Sequence, residues 1–207
     1  PKNATVLDAG CGPGTFTKLF ANTNMEITGI DLSDSMLTIA KKNVPNATFL
    51  KMDINTLTFP DASFDFVMSN GVLHHTPSDL PTMLRDHARV LRPGGVMFVM
   101  LVGKGGLELK IWQFVRDFLY DVPLPEMLAR FGPVMSPLRL QGIVDHMYGE
   151  YQETGREEFE GWCRRLFRRI ERVPGVPGLD VTPEVFADDP YFKARFGCGQ
   201  LRYLCFM

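Results

Sequence analysis

Three glycines follow an acidic residue near the start of the chain, in the run Asp8-Ala9-Gly10-Cys11-Gly12-Pro13-Gly14. A glycine-rich turn between a strand and a helix lets the backbone approach a ligand closely, and the helix N-terminus offers unpaired N–H groups. Dinucleotide-binding turns have the spacing G-x-G-x-x-G, with the third glycine inside the helix. The spacing here is G-x-G-x-G, which departs from that pattern and predicts a different ligand at the turn.

A second acidic residue, Asp31, ends the next predicted strand and is followed by Ser33. A carboxylate at the carboxyl end of a parallel strand can accept hydrogen bonds from a ligand bound at that edge of the sheet. The alternative is a carboxylate at the N-terminus of the following helix, where the helix dipole favours negative charge. We favour a role in ligand binding.

The elements that position these residues alternate along the first hundred residues. Short β-rich runs predict strands over Thr5–Ala9, Glu26–Ile30, Ala47–Lys51, Phe64–Ser69 and Val96–Val102. Helical periodicity between them predicts helices over Thr15–Ala21, Ser33–Asn43 and Asp79–Leu91. This alternation predicts an α/β fold with a parallel sheet and helices on both faces.

The second half of the chain has a different texture. From Gly103 onward, bulky helical patches rich in aromatic residues are interrupted by prolines, which predicts a helical lid over Lys104–Glu153. Periodicity favours a helix throughout Glu157–Ile170, with the alternative that a helix ends near Leu166 and Phe167–Val173 is a strand. A final strand is predicted over Gln200–Met207.

The glycine run, Leu7-Asp8-Ala9-Gly10-Cys11-Gly12-Pro13-Gly14, closely resembles motif I of the class I S-adenosylmethionine-dependent methyltransferases. The resemblance continues over about one hundred residues, through ordered motifs at Gly29–Ser33, Lys51–Ile54, Phe64–His75 and Arg89–Gly95. It implies a Rossmann-like, mostly parallel sheet of seven strands flanked by helices, with the helical lid inserted before the last two strands, which would be Phe167–Val173 and Gln200–Met207. The chain then forms one domain, with a cofactor-binding half (1–103), a lid (104–153) and a C-terminal helix with closing strands (154–207).

The resemblance implies S-adenosylmethionine as the cofactor and S-adenosylhomocysteine as its product. The cofactor-binding residues that it implies are Asp8, Ala9, Gly10, Cys11, Gly12, Gly14, Asp31, Leu32, Met36, Asp53, Ile54 and Asn70. Because the cofactor carries an ammonium and a sulfonium, a pocket of carboxylates and carbonyls suits it better than the arginines that a phosphate requires.

These implied residues divide by the part of the cofactor that they serve. Asp8 and the backbones of Ala9, Gly10 and Asn70 would surround the methionine moiety. Asp31 would accept both ribose hydroxyls in a bidentate arrangement, as the acidic residue at this place does in the family. Asp53 would accept from the adenine amino group, with the alternative of an ordinary turn aspartate.

The Ile54 N–H would face the adenine ring. Leu32 and Met36 would sandwich the ring, although apolar residues early in a helix are as often part of the core.

Three candidate catalytic residues could serve an acceptor that must lose a proton: His75, His146 and Tyr148. His74 and His75 follow the fourth predicted strand, where ligands of open α/β sheets bind. A structural role is the favoured alternative for this pair, because the resembling family carries it with no fixed catalytic role. His146 and Tyr148 lie in the predicted lid. His87 falls on the apolar stripe of a helix, so we expect it to be packed.

Composition excludes several classes of function. The 207 residues carry a formal charge of −2 from 22 basic and 24 acidic residues, which argues against a general polyanion binder. A chain of this length buries about 70% of its unfolded surface, so it needs no disulfide or metal for stability.

The four scattered cysteines predict a reduced, cytoplasmic setting and no metal site. Val96–Val102, the longest apolar run, is too short to span a membrane. No secretory signal is expected at the start of the chain. The resembling family usually has a helix before the first strand that covers the cofactor, whereas only a few residues precede that strand here, so either further residues lie upstream of Pro1 or the pocket is more open than usual.

The predicted function is transfer of a methyl group to a small, partly apolar acceptor at oxygen, nitrogen or carbon. A nucleic-acid or protein acceptor is less favoured, because Ser69-Asn70-Gly71-Val72 stands where base-methylating enzymes have Asn-Pro-Pro-Tyr. Rival hypotheses are a catalytically silent binding or regulatory protein of the same fold and a nicotinamide-dependent oxidoreductase. The acceptor and the oligomeric state are not readable from the sequence.

Overall fold

A computed structural model of the chain describes residues 3–76, 78–104, 113–114, 116–117, 122–135, 144, 149–173 and 201–207. The strands in these ranges are β1 (Thr5–Ala9), β2 (Glu26–Asp31), β3 (Thr48–Lys51), β4 (Phe64–Asn70), β5 (Leu91–Leu101), β6 (Arg169–Arg172) and β7 (Leu201–Phe206). The α-helices that lie wholly within these ranges are α1 (Asp34–Asn43), α2 (Leu80–Arg89), α3 (Leu124–Phe131) and α4 (Arg156–Leu166). Short 3₁₀ turns cover Thr17–Phe20 and Leu73–His75.

The strands form one seven-stranded sheet in the order β3-β2-β1-β4-β5-β7-β6. Neighbours from β3 to β5 are parallel, whereas β7 is antiparallel to both β5 and β6. The predicted Rossmann-like, mostly parallel sheet of seven strands is therefore confirmed. The chain runs outward from β1 to β3 on one side and then from β4 to β5 on the other, which makes the carboxyl ends of β1 and β4 a topological switch point.

Side-chain caps explain where the first two helices begin. The Ser33 hydroxyl accepts from the Met36 N–H at 3.3 Å, and the Asp79 carboxylate accepts from the Thr82 N–H at 3.1 Å. Each cap satisfies an N–H that has no partner within the helix. Both helices start one residue after the predicted position, because the cap residue is itself outside the helix.

Buried apolar side chains form two clusters. The larger joins the central strands to α2 and α4, with Leu84, Met97 and Phe159 fully buried in it. The smaller joins α1 and β3 to the glycine turn, through Cys11, Leu37, Ala40, Val44 and Phe49. The glycine turn is thus held in place by the packing of Cys11 against residues of α1 and β3.

Two element predictions were wrong, and one open alternative is resolved. Thr15–Ala21 is not an α-helix but contains only the 3₁₀ turn Thr17–Phe20, in a stretch whose Thr and Phe residues are weak helix formers. Helix α4 ends at Leu166, since Phe167 is extended (φ −120°, ψ 145°), and β6 (Arg169–Arg172) confirms the strand predicted within Phe167–Val173 over the helix that periodicity favoured there. β5 begins at Leu91, ahead of the predicted Val96, with a register shift opposite Phe64–Phe66.

The predicted lid is described only in part. α3 falls within it, as do the residues from Gly149 that return to the sheet. His146 and Tyr148 lie outside the described residues, so the structure places neither of these candidates. Among the described residues, no helix is long and apolar enough to cross a membrane.

Candidate active site

The glycine turn is folded onto the end of β2. The N–H groups of Gly10 and Cys11 both donate to the Ile30 carbonyl at 2.9 Å, and the Gly14 N–H donates to the Cys11 carbonyl at 2.9 Å. Gly10, Gly12 and Gly14 have φ of 80°, 51° and 79°, a region that other residues rarely adopt. The backbone conformation is therefore in itself sufficient reason for glycine at these three positions.

The three glycines differ in what lies above them. A Cβ on Gly10 would lie 2.5 Å from Val72 Cγ1, and one on Gly14 would lie 3.3 Å from the Ala40 backbone. A Cβ on Gly12 would meet no atom within 4 Å. Gly12 is thus the point of the turn that opens to the space where a ligand can approach.

Asp31 holds the turn through its carboxylate. Oδ2 accepts from the Gly12 N–H at 2.9 Å, and Oδ1 accepts from the Ser33 N–H at 2.9 Å. The bond to Ser33 is the helix-start contact that we weighed as the alternative, and the bond to Gly12 fixes the open part of the turn. Contact with a ribose stays a prediction for this residue.

Asp8 lies buried at the end of β1, with 2% of its surface exposed. Desolvation raises the pKa of Asp8 to about 6, and the nearby Asp31 carboxylate also raises it, whereas hydrogen bonds from Thr17 lower it. The Thr17 hydroxyl lies 2.5 Å from Asp8 Oδ2. Because burial makes the ionised form of Asp8 unfavourable, a cationic ligand that paired with this carboxylate would offset that cost.

Cys11 is chemically quiet despite its place in the turn. Burial, with Asp8 and Asp31 nearby, raises the pKa of its thiol to about 12. The neutral thiol packs in the smaller core cluster. Cys11 can therefore contribute shape and backbone, but not a thiolate.

The residues predicted for the adenine lie along the edge of β2 and β3. Asp53 Oδ1 accepts from the Asn55 N–H at 2.9 Å and from its side-chain amide at 2.7 Å, which is the contact set of a turn aspartate. The Ile54 side chain is buried in the larger core cluster, while Leu32 is 57% exposed and Met36 half-buried. Leu32 is the apolar side chain here with surface to offer a flat ring.

The remaining predicted residues also lie at this edge. Ala9 is buried at the end of β1, and Asn70 is half-buried at the end of β4, the neighbouring strand. The carboxyl ends of β1, β2 and β4 thus bring Asp8, Ala9, Asp31 and Asn70 to one side of the sheet.

The histidine pair lies in the 3₁₀ turn just after β4. His74 is buried, and His75 is exposed with its ring centroid 4.2 Å from that of His74. His75 Nδ1 lies 3.0 Å from the Glu150 carbonyl oxygen. Because a carbonyl can only accept, Nδ1 carries the proton, and in neutral His75 the lone pair is on Nε2.

Residues 149–154, which we call the strap, bind this turn to the end of β5. The Gln152 N–H donates to the His74 carbonyl at 2.7 Å, and its side-chain amide donates to the carbonyls of Thr76 and Ser78. Thr154 bridges to Gly103 beside β5. The strap brings Tyr151 to 6.3 Å from both histidine rings, and burial raises the pKa of that phenol.

Two contacts of the site were not predicted. Thr17 and Gln152 are ordinary polar residues in the sequence, and only the fold brings each to its partners. A fully buried threonine beside a buried aspartate is visible only once the turn is folded. His87 is buried as expected, with Nδ1 2.8 Å from the Met83 carbonyl, and burial lowers its pKa.

The described residues contain no group of three His, Cys, Asp or Glu side chains that could hold a metal ion. Of the cysteines in that part of the chain, Cys11, Cys163 and Cys205 are all free and buried.

A glycine turn after β1, a carboxylate at the end of β2 and Asn70 at the end of β4 meet at the switch point of a seven-stranded sheet. This arrangement is that of a class I S-adenosylmethionine-dependent methyltransferase. Comparison with known proteins agrees, since residues 7–99 match the family described as a methyltransferase domain. The match covers a little less than half of the chain.

Known relatives match about half of the chain. A malonyl-[acyl-carrier protein] O-methyltransferase of Serratia marcescens is 36% identical over 103 residues, which are 50% of this chain and 40% of that protein. An enzyme of the same name from Erwinia pyrifoliae is 40% identical over 109 residues, 52% of this chain and 41% of its own length. The chain thus spans about two fifths of the length of these relatives.

A solved structure extends the likeness of fold to the whole chain. The TehB-like SAM-dependent methyltransferase of Corynebacterium glutamicum superposes with a TM-score of 0.58 at 17% identity, covering 100% of this chain and 81% of the other. At this identity the likeness concerns the fold alone.

S-adenosylmethionine is the cofactor of this class, and the site fits it. The open face of Gly12 leaves room for a ligand against the backbone. The buried Asp8 and the oriented Asp31 offer acceptors for an ammonium and for hydroxyls.

Proposed function

We propose that the protein transfers a methyl group from S-adenosylmethionine to a small, partly apolar acceptor. The observation that carries the proposal is the glycine turn whose one open point, Gly12, is fixed by the Asp31 carboxylate beside a buried acidic residue. A polyphosphate-binding site would need cationic side chains there, whereas acidic residues occupy these positions.

The residues of the site would act mainly by binding and orientation. Asp31 would hold the ribose hydroxyls, Asp8 the ammonium, and Asp53 with the Ile54 backbone the adenine, whose face Leu32 and Met36 would cover. The sulfonium of the bound cofactor supplies a methyl group that is already activated. Proximity and exclusion of water can then provide most of the rate enhancement.

An oxygen acceptor is the form of the proposal that the relatives support. The Serratia and Erwinia proteins are named as O-methyltransferases of malonyl-[acyl-carrier protein]. A carboxylate acceptor needs no base, because it is already ionised, whereas a hydroxyl must lose a proton.

His75 is our proposed base for a hydroxyl acceptor. Its ring is exposed just beyond the carboxyl end of β4, and the Glu150 carbonyl leaves the lone pair on Nε2. We keep His146 and Tyr148, in the segment 104–153, as proposed contacts of the acceptor. That segment would act as the lid, in a single domain that works in the cytoplasm.

The test has two parts. Calorimetry with S-adenosylhomocysteine and with NAD should give binding of the first only, and the Asp31→Ala variant should lose most of it. Methyl-labelled S-adenosylmethionine should then transfer its label to an acceptor in a panel that includes a malonyl thioester, simple carboxylic acids and phenols.

The outcomes separate the rival hypotheses. Binding of NAD and not of S-adenosylhomocysteine would contradict the proposal and support an oxidoreductase. Binding of S-adenosylhomocysteine without transfer to any acceptor would favour a regulatory protein that retains the fold.

A further inference from the structure

The closest polar contact of Asp8 comes from a residue on the far side of the glycine turn. The Thr17 hydroxyl lies 2.5 Å from Asp8 Oδ2, and Thr17 is 0% exposed. An ionised carboxylate can only accept, so the hydroxyl donates. The contact joins the end of β1 to the 3₁₀ turn that opens at Thr17.

The surroundings of Asp8 otherwise oppose its charge. Its pKa is raised to about 6, chiefly by burial and in part by the charge of Asp31, at the end of the neighbouring β2. Cys11, in the turn itself, stays a neutral thiol because its own pKa is raised to about 12. Thr17 lowers the pKa of Asp8 through both its hydroxyl and its backbone N–H.

This balance matters for a cationic ligand. A protonated Asp8 would carry no negative charge to attract an ammonium. Its acidic hydrogen would also occupy a carboxyl oxygen that the ammonium would otherwise hydrogen-bond. The hydroxyl of Thr17 also fixes Oδ2, so the carboxylate cannot rotate freely toward Asp31 or away from the turn.

We propose that Thr17 is a positioning residue, which keeps Asp8 ionised and oriented to receive the ammonium of the cofactor's methionine moiety. The proposal rests on the proposed function, since it assumes that the cofactor binds at the glycine turn. It adds a residue outside the motif and a pH dependence of cofactor binding.

The experiment measures the affinity for S-adenosylhomocysteine by calorimetry between pH 5.5 and 7.5. This probe has no sulfonium, and its α-amino group is mostly protonated in that range, since a free α-amino group has a pKa of about 7.7–8.0. Thr17→Val removes the hydroxyl at nearly constant volume, and Thr17→Ser keeps it. Thr23→Val is the matched control, because the exposed Thr23 hydroxyl bonds only the Phe20 carbonyl at 2.6 Å among the described contacts.

Wild-type affinity should rise as the pH passes through about 6, the pKa of Asp8. Thr17→Val should displace this rise to higher pH, with affinity about tenfold weaker near pH 6.5 and a smaller deficit at pH 7.5. Thr17→Ser and Thr23→Val should follow the wild-type profile.

An affinity of Thr17→Val that equals wild type, or that is reduced by the same factor at every pH, overturns the proposal, because a merely structural residue would behave so. If Thr17→Val does not fold, Thr17→Ala takes its place. Should both fail to fold while Thr17→Ser folds, Thr17 is a structural residue and the proposal is wrong.

A wild type that binds no S-adenosylhomocysteine at any pH would instead contradict the proposed function. The two failures are therefore distinguishable.

Discussion

Asp8 and Asp31 end adjacent strands of the sheet, yet their surroundings give them different tasks. Asp31 is half-buried, and each of its oxygens accepts a backbone N–H at 2.9 Å. Asp8 is buried against a hydroxyl. Asp31 orients the turn, whereas Asp8 carries a buried negative charge whose unfavourable free energy a cationic ligand would reduce.

Asp31→Ala should weaken binding of S-adenosylhomocysteine by about thirtyfold or more, since it removes a charged acceptor that also fixes Gly12. Calorimetry at pH 7 measures the change. Asp34→Ala is the control: Asp34 lies three residues away and forms an exposed pair with Lys51, so affinity should stay within twofold. Equal affinities of the two variants would contradict a role of Asp31 in the site.

Asp8→Asn should stabilise the free protein at neutral pH. The pKa of Asp8 is raised from 3.8 to about 6, so between these values the folded state binds more protons than the unfolded state. Stability from this group is present below pH 4 and is lost as the pH rises through about 6, by about 3 kcal/mol. The amide has no such charge and still accepts from Thr17.

Urea unfolding at pH 4, 5, 6 and 7 tests this expectation. The stability difference between Asp8→Asn and wild type should grow with pH to about 3 kcal/mol. Asp34→Asn, at an exposed carboxylate, serves as the control and should show only a small change. A difference for Asp8→Asn that shrinks as the pH rises would contradict the raised pKa.

At the level of elements, the glycine turn allows two effects of a substitution to be measured separately: the effect of backbone conformation on stability and the effect of an added side chain on ligand binding. Gly12→Ala should cost about 1–2 kcal/mol of stability, because φ is 51° there, although its Cβ would meet nothing. The same Cβ would enter the space open to the ligand, so we expect at least a tenfold loss of S-adenosylhomocysteine affinity.

The matched control is Gly94→Ala, at a glycine with φ of 81° and equally open surroundings, but in β5. It should cost similar stability and leave affinity unchanged. Thermal unfolding and calorimetry measure the two quantities for each variant. If the two variants reduced affinity equally, the loss at Gly12 would reflect stability and not ligand access.

The Gln152 side chain ties the strap to the residues around the histidine turn. Gln152→Ala removes the amide bonds to Thr76 and Ser78, and it should lower stability by about 1–2 kcal/mol. Hydrogen exchange should speed up in residues 149–154 and in the histidine turn, while the amides of β1 keep their protection. Unchanged exchange in the strap would contradict the role of Gln152.

Elements with local signals were predicted well. The starts of α1 and α2 were predictable because each helix has an N-cap residue, Ser33 or Asp79, followed by an apolar stripe of helical period. The helix predicted over Thr15–Ala21 is absent, and periodicity alone favoured a helix over Phe167–Ile170, because nonlocal contacts decide both segments. Thr17 turns inward to Asp8, and β6 pairs with β7. Periodicity does not record such partners.

Across the whole molecule, the resemblance predicted the number of strands, whereas the residues themselves indicated five clearly. The order β5-β7-β6 is not readable from local pattern, since it requires the last strand to insert between two earlier ones. The same limit explains the site. Residues on the motif were predicted by resemblance, while Thr17 and Gln152 join it only through tertiary contacts.

The inserted strand β7 should therefore carry much of the stability of the C-terminal half. Tyr203 of β7 is 1% exposed, packs its ring 5.2 Å from that of Phe159, and donates its hydroxyl to Glu160 Oε1 at 2.6 Å. It links the sheet to α4 through both an apolar and a polar contact.

Tyr203→Ala should lower the free energy of unfolding by about 3–5 kcal/mol, as for other buried aromatic side chains, and Tyr203→Phe by about 1–2 kcal/mol through the lost hydrogen bond. Urea unfolding measures both. Phe114→Ala, at a ring that is 71% exposed, should stay within about 0.5 kcal/mol. A packed strand cannot lose its buried aromatic side chain without leaving a cavity between the sheet and α4. If Tyr203→Ala therefore cost no more stability than Phe114→Ala, β7 would not be packed against α4 as the structure shows.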